Sequence, residues 1–144
     1  MDAKVAALGV WKAFFSRDPE RIRGVLTDDV EWVAPRANAT AVALGVTDHM
    51  VGKEAIVSFL TRDLRRLFSN GMAVEPISTT AEGDRVVFEQ MQRATLANGR
   101  RYENAYVFIF EMDGERVHRI REYMDTHNGY SMVFGDELPA PIAP

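Results

Sequence analysis

Two carboxylates stand three positions apart near the end of the chain, Glu122 and Asp125 in the segment RIREYMDTHNG, residues 119–129. The segment alternates like a β-strand, in which successive side chains point to opposite faces. Its even positions form the more apolar set: His118, Ile120, Glu122 and Met124. The pattern predicts that Glu122 faces inward and that Asp125 joins a charged outer face, although a bulge at the strand end would reverse Asp125.

An inward carboxyl is suited to general acid/base chemistry. Burial disfavours its ionised form, so we expect the pKa of Glu122 to rise toward neutrality, where proton transfer is most effective. Hydrogen-bond donors on neighbouring strands would stabilise charge developing on a carbonyl oxygen. We expect Gln92, Asn104 and Tyr106 to be these donors.

Two neighbouring strands also carry polar groups on apolar faces. Gln90 and Gln92 lie among Val, Phe and Leu, and Asn104 lies on a face of Tyr and Phe. A buried polar group without a partner costs on the order of 1–3 kcal/mol. Such groups converge either around a lined cavity or in a closed core, where they satisfy one another or an arginine. The sequence leaves both alternatives open.

Other candidate residues flank this group. His49, in the segment TDHMVGK, is a candidate second acid/base at the cavity mouth, although loop histidines are usually only solvated. The histidines lack the spacing of a metal site, and we predict no metal. The candidate substrate contacts, each equally compatible with an ordinary core position, are Trp32, Met50, Phe59, Gln90, Ile120 and Met124.

Helices dominate the first half of the predicted structure. An apolar stripe predicts a helix over about residues 2–16, and Asp18-Pro19 begins a second one. The segment DVEWVAP predicts a short strand that Pro35 interrupts, followed by a loop over 36–52. A third helix, with a stripe from Ile56 to Phe68, ends at Asn70-Gly71.

The second half has the period of β-structure. Alternation predicts strands near 73–81, 85–97, 100–112 and 115–126, joined by short turns containing glycine. Helices followed by an antiparallel meander predict an α+β domain, in which the sheet covers the apolar faces of the helices. We assign residues 1–130 to one domain and 131–144 to a proline-rich tail.

Composition excludes several classes of function. The 144 residues carry a net charge of -4 and no cysteine. Dispersed basic residues predict no nucleic-acid partner, and no apolar run approaches the roughly 18 residues of a membrane span. We therefore predict a cytoplasmic protein without a membrane partner. Glycine-rich phosphate loops and nucleophile motifs are also missing, so we predict that any enzymatic activity is independent of a cofactor.

Four segments, in this order, resemble the nuclear transport factor 2-like superfamily: LTDDVEWVAP, VGKEAIVSFL, YENAYVFIFEMDGERV and RIREYMDT. The resemblance covers residues 3–128 and is greatest to SnoaL-like and ketosteroid isomerase-like enzymes. It implies a curved antiparallel sheet wrapped around N-terminal helices, a cystatin-like α+β barrel with a conical pocket. It also implies a homodimer that forms through the outer face of the sheet, where Arg119, Arg121 and Tyr123 are expected.

The resemblance implies function only where residues match. In limonene epoxide hydrolases an Arg and an Asp stand at Gln90 and Gln92, and ketosteroid isomerases have their catalytic Asp at Ala34; both activities are therefore disfavoured. The first Asp of the ending of SnoaL-like cyclases aligns with Glu122. This implies a cyclase, isomerase or dehydratase acting on a small hydrophobic, polyketide-like or cyclic carbonyl compound. The alternative is a non-catalytic module for ligand binding or dimerisation.

Overall fold

Capping residues set the ends of the first two helices. In the computed structural model, which describes residues 2–135 and 140–143, α1 spans Ala3–Ser16 and α2 spans Pro19–Gly24. The side chain of Asp2 accepts a hydrogen bond from the amide of Lys4, and that of Asp18 accepts one from the amide of Glu20. Both bonds satisfy amides that the first helical turn leaves without partners. The predictions of both helices are confirmed.

The predicted loop over residues 36–52 is wrong in two places. Strand β1 (Leu26–Val33) is followed by a short helix, α3 (Ala39–Leu44), and by β2 (His49–Val51), which pairs antiparallel with β1. Asn38 caps α3 by accepting from the amide of Ala41, and Gly45 ends it in a left-handed conformation with φ of 67°. The sequence therefore contains an N-cap residue and a C-terminal glycine that are typical of a helix, and both could have predicted α3.

The third predicted helix contains a π-helical turn. It consists of α4 (Lys53–Ser58), the π-helical turn Phe59–Asp63 and α5 (Leu64–Leu67), with helical backbone at each junction. Such turns widen a helix locally and often occur at functional sites. Phe59 and Leu60 lie in this turn, and both line a cavity between the helices and the inner face of the sheet.

The four predicted meander strands are present as β3 (Ala73–Glu82), β4 (Arg85–Thr95), β5 (Arg101–Asp113) and β6 (Arg116–Met124). The six strands have the order β2-β1-β6-β5-β4-β3. All neighbours are antiparallel except β1 and β6, which run parallel. The predicted α+β fold with a curved sheet is confirmed, with this one parallel pair added.

Alternation correctly predicts the inner face of β4 and β5. Their even-numbered residues are buried, among them Gln92 and Asn104, except Ala94, which is partly buried. In β6 the prediction is wrong at one end: the register with β5 shifts between Glu111 and Met112, so Val117 is fully buried while His118 is partly exposed. From Ile120 onward the predicted alternation applies again.

The segment that follows β6 folds back onto the sheet. Strand β6 ends at Met124, and Thr126–Phe134 forms α6, a helix that the sequence analysis did not predict. This helix crosses the predicted boundary between residues 130 and 131. The division into a domain and a tail stays a prediction, and residues 136–139 and 144 of that tail lie outside the described part of the chain.

Candidate active site

A cavity lies between the inner face of the sheet and the helices. Its volume is about 90 Å³. That is several times the minimum needed to hold one water molecule. Most of the lining is aromatic or aliphatic, including Trp11, Phe14, Trp32, Met50, Phe59, Leu60, Leu64, Phe68, Met72 and Phe108. Of the polar groups considered in the sequence analysis, Glu122, Gln92 and Tyr106 line this cavity, whereas Gln90 and Asn104 do not.

Glu122 reaches this cavity from β6. Its Oε1 accepts a hydrogen bond of 2.9 Å from Nε1 of Trp32, and no lysine, arginine or histidine of residues 2–135 or 140–143 lies within 4 Å of its carboxylate. Part of Glu122 remains accessible to solvent, but its carboxyl group is surrounded by protein atoms. The surroundings of the carboxyl group determine its pKa. Burial raises the pKa of Glu122 to about 7, against the opposing effect of the Trp32 bond.

Tyr106 also lines the cavity, at the end of a chain of hydrogen bonds. The carbonyl oxygen of the Asn104 side chain accepts from Nδ2 of Asn128 at 3.0 Å and from the amide of Ala105. This leaves Nδ2 of Asn104 as the donor, 3.4 Å from the hydroxyl of Tyr102, which in turn is hydrogen-bonded to the hydroxyl of Tyr106.

Either hydroxyl can donate in the bond between Tyr102 and Tyr106, and the donor of Asn104 allows one continuous direction along the chain. Since Asn104 donates to Tyr102, the hydroxyl hydrogen of Tyr102 is free to be donated to Tyr106. The hydrogen of Tyr106 is then left for a group in the cavity. Burial and the neighbouring Tyr102 and Glu122 raise the pKa of Tyr106 well above its ordinary value, so it is a neutral donor at physiological pH.

The amides predicted as site residues divide into two groups. Gln92 is buried and lines the cavity. Asn104 and Gln90 are buried but do not line it: Asn104 joins β5 to α6, and Nε2 of Gln90 has no hydrogen-bond partner among the described residues. Asn104 is thus placed one step behind Tyr106 rather than in contact with the cavity.

His49 lies outside the cavity. In β2 the exposed His49 alternates with the buried Met50, and its Nε2 is 2.8 Å from Oε2 of Glu31 on the outer side of the sheet. The prediction that it closes the cavity mouth is therefore not met in this structure, because β2 turns its side chain outward. Asp125 is exposed, as expected, and caps α6 by accepting from the amide of Asn128 at 2.9 Å.

Three of the predicted substrate contacts line the cavity, namely Trp32, Met50 and Phe59. Ile120 is instead fully buried in the core, and Met124 packs against that core beside α6. Sequence reasoning missed Trp11, Arg17 and Asp48, which do line the cavity. The aromatic stripe of α1 was a signal for Trp11, whereas nothing local in the sequence distinguishes Arg17 from the other arginines.

Within the described residues, no group of three or more His, Asp and Glu side chains is arranged to hold a metal ion. No helix among them is long and apolar enough to cross a membrane. The predictions about cofactor, compartment and partners are independent of this geometry and stay predictions.

A family model described as a SnoaL-like domain matches residues 8–120. The chain belongs to this family. The family, part of the nuclear transport factor 2-like superfamily, includes isomerases, cyclases and epoxide hydrolase-like proteins as well as members of unknown function. The resemblance stated from the sequence is thereby confirmed. No curated protein matches the chain.

Several solved structures share the fold. An NTF2-like protein of unknown function from Burkholderia pseudomallei is 20% identical with a TM-score of 0.78, over 94% of this chain and 100% of that one. TerC, co-crystallised with polyporic acid, is 26% identical with a TM-score of 0.75, over 92% and 98% of the two chains. An LEH-like epoxide hydrolase of M. tuberculosis is 21% identical with a TM-score of 0.67, over 91% and 88%.

Proposed function

We propose that this SnoaL-like protein is a cofactor-independent acid/base enzyme that acts on a small hydrophobic carbonyl compound in its cavity. The observation that carries the proposal is the carboxyl of Glu122, which lies in an aromatic cavity with one neutral hydrogen-bond donor and a pKa of about 7. A group with this pKa is present in both protonation states near neutral pH. The likeness to TerC, which was crystallised with polyporic acid, supports a small organic ligand.

Glu122 is suited to remove a proton from the carbon next to a carbonyl group. The carboxylate accepts that proton, and the electron pair of the broken C–H bond moves onto the carbonyl oxygen to form an enolate. In an unsaturated ketone, return of the proton to the far end of the conjugated enolate completes an isomerisation. Alternatively, the enolate carbon attacks a second carbonyl group and closes a ring, and the resulting alkoxide takes up the proton held by Glu122. The family's isomerases and cyclases are consistent with either outcome.

Tyr106 and Gln92 are placed to stabilise the enolate oxygen. Both line the same cavity as Glu122. When Tyr102 donates to Tyr106, the hydroxyl hydrogen of Tyr106 is available to a ligand in the cavity. Neutral donors held in an apolar cavity interact strongly with a developing negative charge, because little water competes for them. The acid/base group and the donors thus have separate roles.

The test is deuterium exchange at carbon. The protein is incubated in deuterated buffer with 2-tetralone, a small hydrophobic ketone, and loss of the α-proton signals is followed by NMR. We expect exchange faster than in buffer alone, with a rate that rises with pH around 7 as Glu122 ionises. Glu122→Gln should reduce the rate to that of buffer.

A matched control separates catalysis from a general effect of a lost charge. Glu89, on the same sheet, is exposed and contacts the hydroxyl of Ser78 on β3. Glu89→Gln should exchange at the wild-type rate. Wild-type exchange in Glu122→Gln would disprove the proposal, and ketone binding without exchange by the wild type would favour the non-catalytic binding module.

A further inference from the structure

Arg17 occupies an unusual position at the end of α1. It caps the helix in a left-handed conformation, with φ of 58° and ψ of 14°, and its amide donates to the carbonyl oxygen of Phe14 at 3.3 Å. This conformation is unfavourable for residues other than glycine, which is the usual residue at such a helix end. The conformation directs the chain so that the side chain of Arg17 lines the cavity.

The π-helical turn holds the guanidinium in place. Nη1 of Arg17 donates a hydrogen bond of 2.8 Å to the carbonyl oxygen of Leu60, a residue of that turn. A guanidinium has five N–H donors in a planar fork, so this bond fixes its position while leaving other donors available. Two separate backbone features, the helix end and the π-helical turn, therefore converge on one side chain.

No counter-charge is provided for this arginine by the part of the chain that the structure describes. None of the carboxylates in residues 2–135 and 140–143 lies within 4 Å of its guanidinium nitrogens. Burial and the nearby Arg65 both lower the pKa of Arg17, so its surroundings disfavour the charge rather than compensate it. Asp48 also lines the cavity, but its Oδ2 accepts from the amide of Ala37 at 2.8 Å.

We propose that Arg17 is an anion subsite of the cavity and that the ligand is a hydrophobic organic carboxylate. A carboxylate matches the planar fork of the guanidinium and supplies the missing counter-charge. The aromatic lining accommodates the hydrophobic body of the same molecule. The inference rests on the proposed function in that it takes this cavity as the substrate site, and it specifies the class of substrate.

The test compares two ligands of nearly the same shape, 2-naphthoate and 2-naphthamide, by isothermal titration calorimetry. The wild type should bind the carboxylate at least about tenfold more tightly than the amide, because only the carboxylate supplies the counter-charge. Arg17→Gln keeps a donor for the Leu60 carbonyl but removes the charge. It should bind both ligands with the affinity that the wild type has for the amide.

Arg21→Gln is the matched control, since Arg21 is an exposed arginine four residues further along the chain, in α2. It should keep the wild-type preference for the carboxylate. Equal affinity of the wild type for the two ligands, no binding of 2-naphthoate, or a retained preference in Arg17→Gln would overturn the inference. The wild-type comparison needs no variant, so a folding defect in Arg17→Gln does not remove the test.

The anion subsite and the acid/base function fail separately. Glu122→Gln should retain the preference for 2-naphthoate, and Arg17→Gln should retain deuterium exchange into the neutral ketone 2-tetralone. Equal affinity of the wild type for the two ligands, with its exchange activity present, contradicts the anion subsite alone. An absence of exchange with the preference intact contradicts the proposed function alone.

Discussion

The indole nitrogen of Trp32 donates a hydrogen bond of 2.9 Å to the carboxylate of Glu122, 90 positions away in the chain. The parallel pairing of β1 with β6 makes this possible, because it places Trp32 opposite Ile120, two residues before Glu122 on the same face. The bond favours the ionised carboxylate while burial favours the protonated form. The balance leaves the pKa of Glu122 at about 7.

Trp32→Phe should raise the pKa of Glu122 above 7. The substitution keeps an aromatic ring in the cavity but removes the only hydrogen bond that the carboxylate accepts from the described residues. NMR titration of protein labelled with ¹³C at glutamate carboxyls measures the change. Trp11→Phe is the control, because Trp11 lines the same cavity and its Nε1 has no partner in the described chain. An unchanged pKa in Trp32→Phe would contradict the assigned role of the bond.

Glu122 should make the protein less stable as pH rises. Its pKa is about 7 in the folded protein and near 4.5 in the unfolded chain, so between these values the folded state binds the additional proton. The free energy of unfolding therefore falls with increasing pH across this window, by an amount of the order of 3 kcal/mol, and levels off above about pH 7.

The comparison with Glu122→Gln isolates this effect. Other carboxylates have lowered pKa values: hydrogen bonds from His49 and Arg119 lower that of Glu31, and one from Arg101 lowers that of Glu103. The stability that they contribute is lost only as the pH falls below the ordinary range for glutamate. Urea denaturation of both proteins from pH 4 to 8 gives the difference. A constant difference across that range would show that Glu122 titrates normally.

Alternation predicted the inner residues of β4, β5 and most of β6 because glycine turns set the hairpin registers. A pattern of period two assigns a face but cannot show what a side chain contacts there. Asn104 was correctly placed inward, yet its partners are Asn128 and the carbonyl of Asp125, which belong to the end of β6 and to α6. Without α6, no sequence argument could assign Asn104 to a structural contact.

Two signals for the missed features were present but ambiguous. Asp125 with Asn128 three residues later is a helix start, although the following Gly129 favours a loop. A Cβ at Gly129 would lie 3.2 Å from Nδ2 of Asn104, so a larger residue there would require the Asn104 side chain to shift. Arg17 could not have been singled out, since its position depends on a left-handed helix end and on a carbonyl 43 residues away.

The predicted homodimer gives a test on the outer face of the sheet. Tyr123 is 53% exposed there, and Arg119 is hydrogen-bonded to Glu31 and Glu111. We expect the wild type to be a dimer and Tyr123→Glu to be largely monomeric, because an added charge would be buried without a partner. Sedimentation velocity measures the mass. Val42→Glu, at an exposed position of α3, is the control, and a monomeric wild type would refute the prediction.

Tyr106→Phe should slow deuterium exchange into 2-tetralone by about a hundredfold, the usual effect of removing one donor to a developing oxyanion. Ketone affinity should change little, because the donor interacts mainly with the enolate that forms during the reaction. The pH dependence should keep its midpoint, since that is set by Glu122.

Tyr102→Phe tests whether the hydrogen bond with Tyr102 orients the hydroxyl of Tyr106 for catalysis. It removes the hydrogen-bond partner of the Tyr106 hydroxyl, so that hydroxyl is no longer held in one orientation, and exchange should slow by a smaller factor than in Tyr106→Phe. Tyr130→Phe, on the exposed side of α6, should exchange at the wild-type rate. Full activity in Tyr106→Phe would exclude it as an oxyanion donor and leave Gln92, another neutral donor that lines the cavity, to be tested in its place.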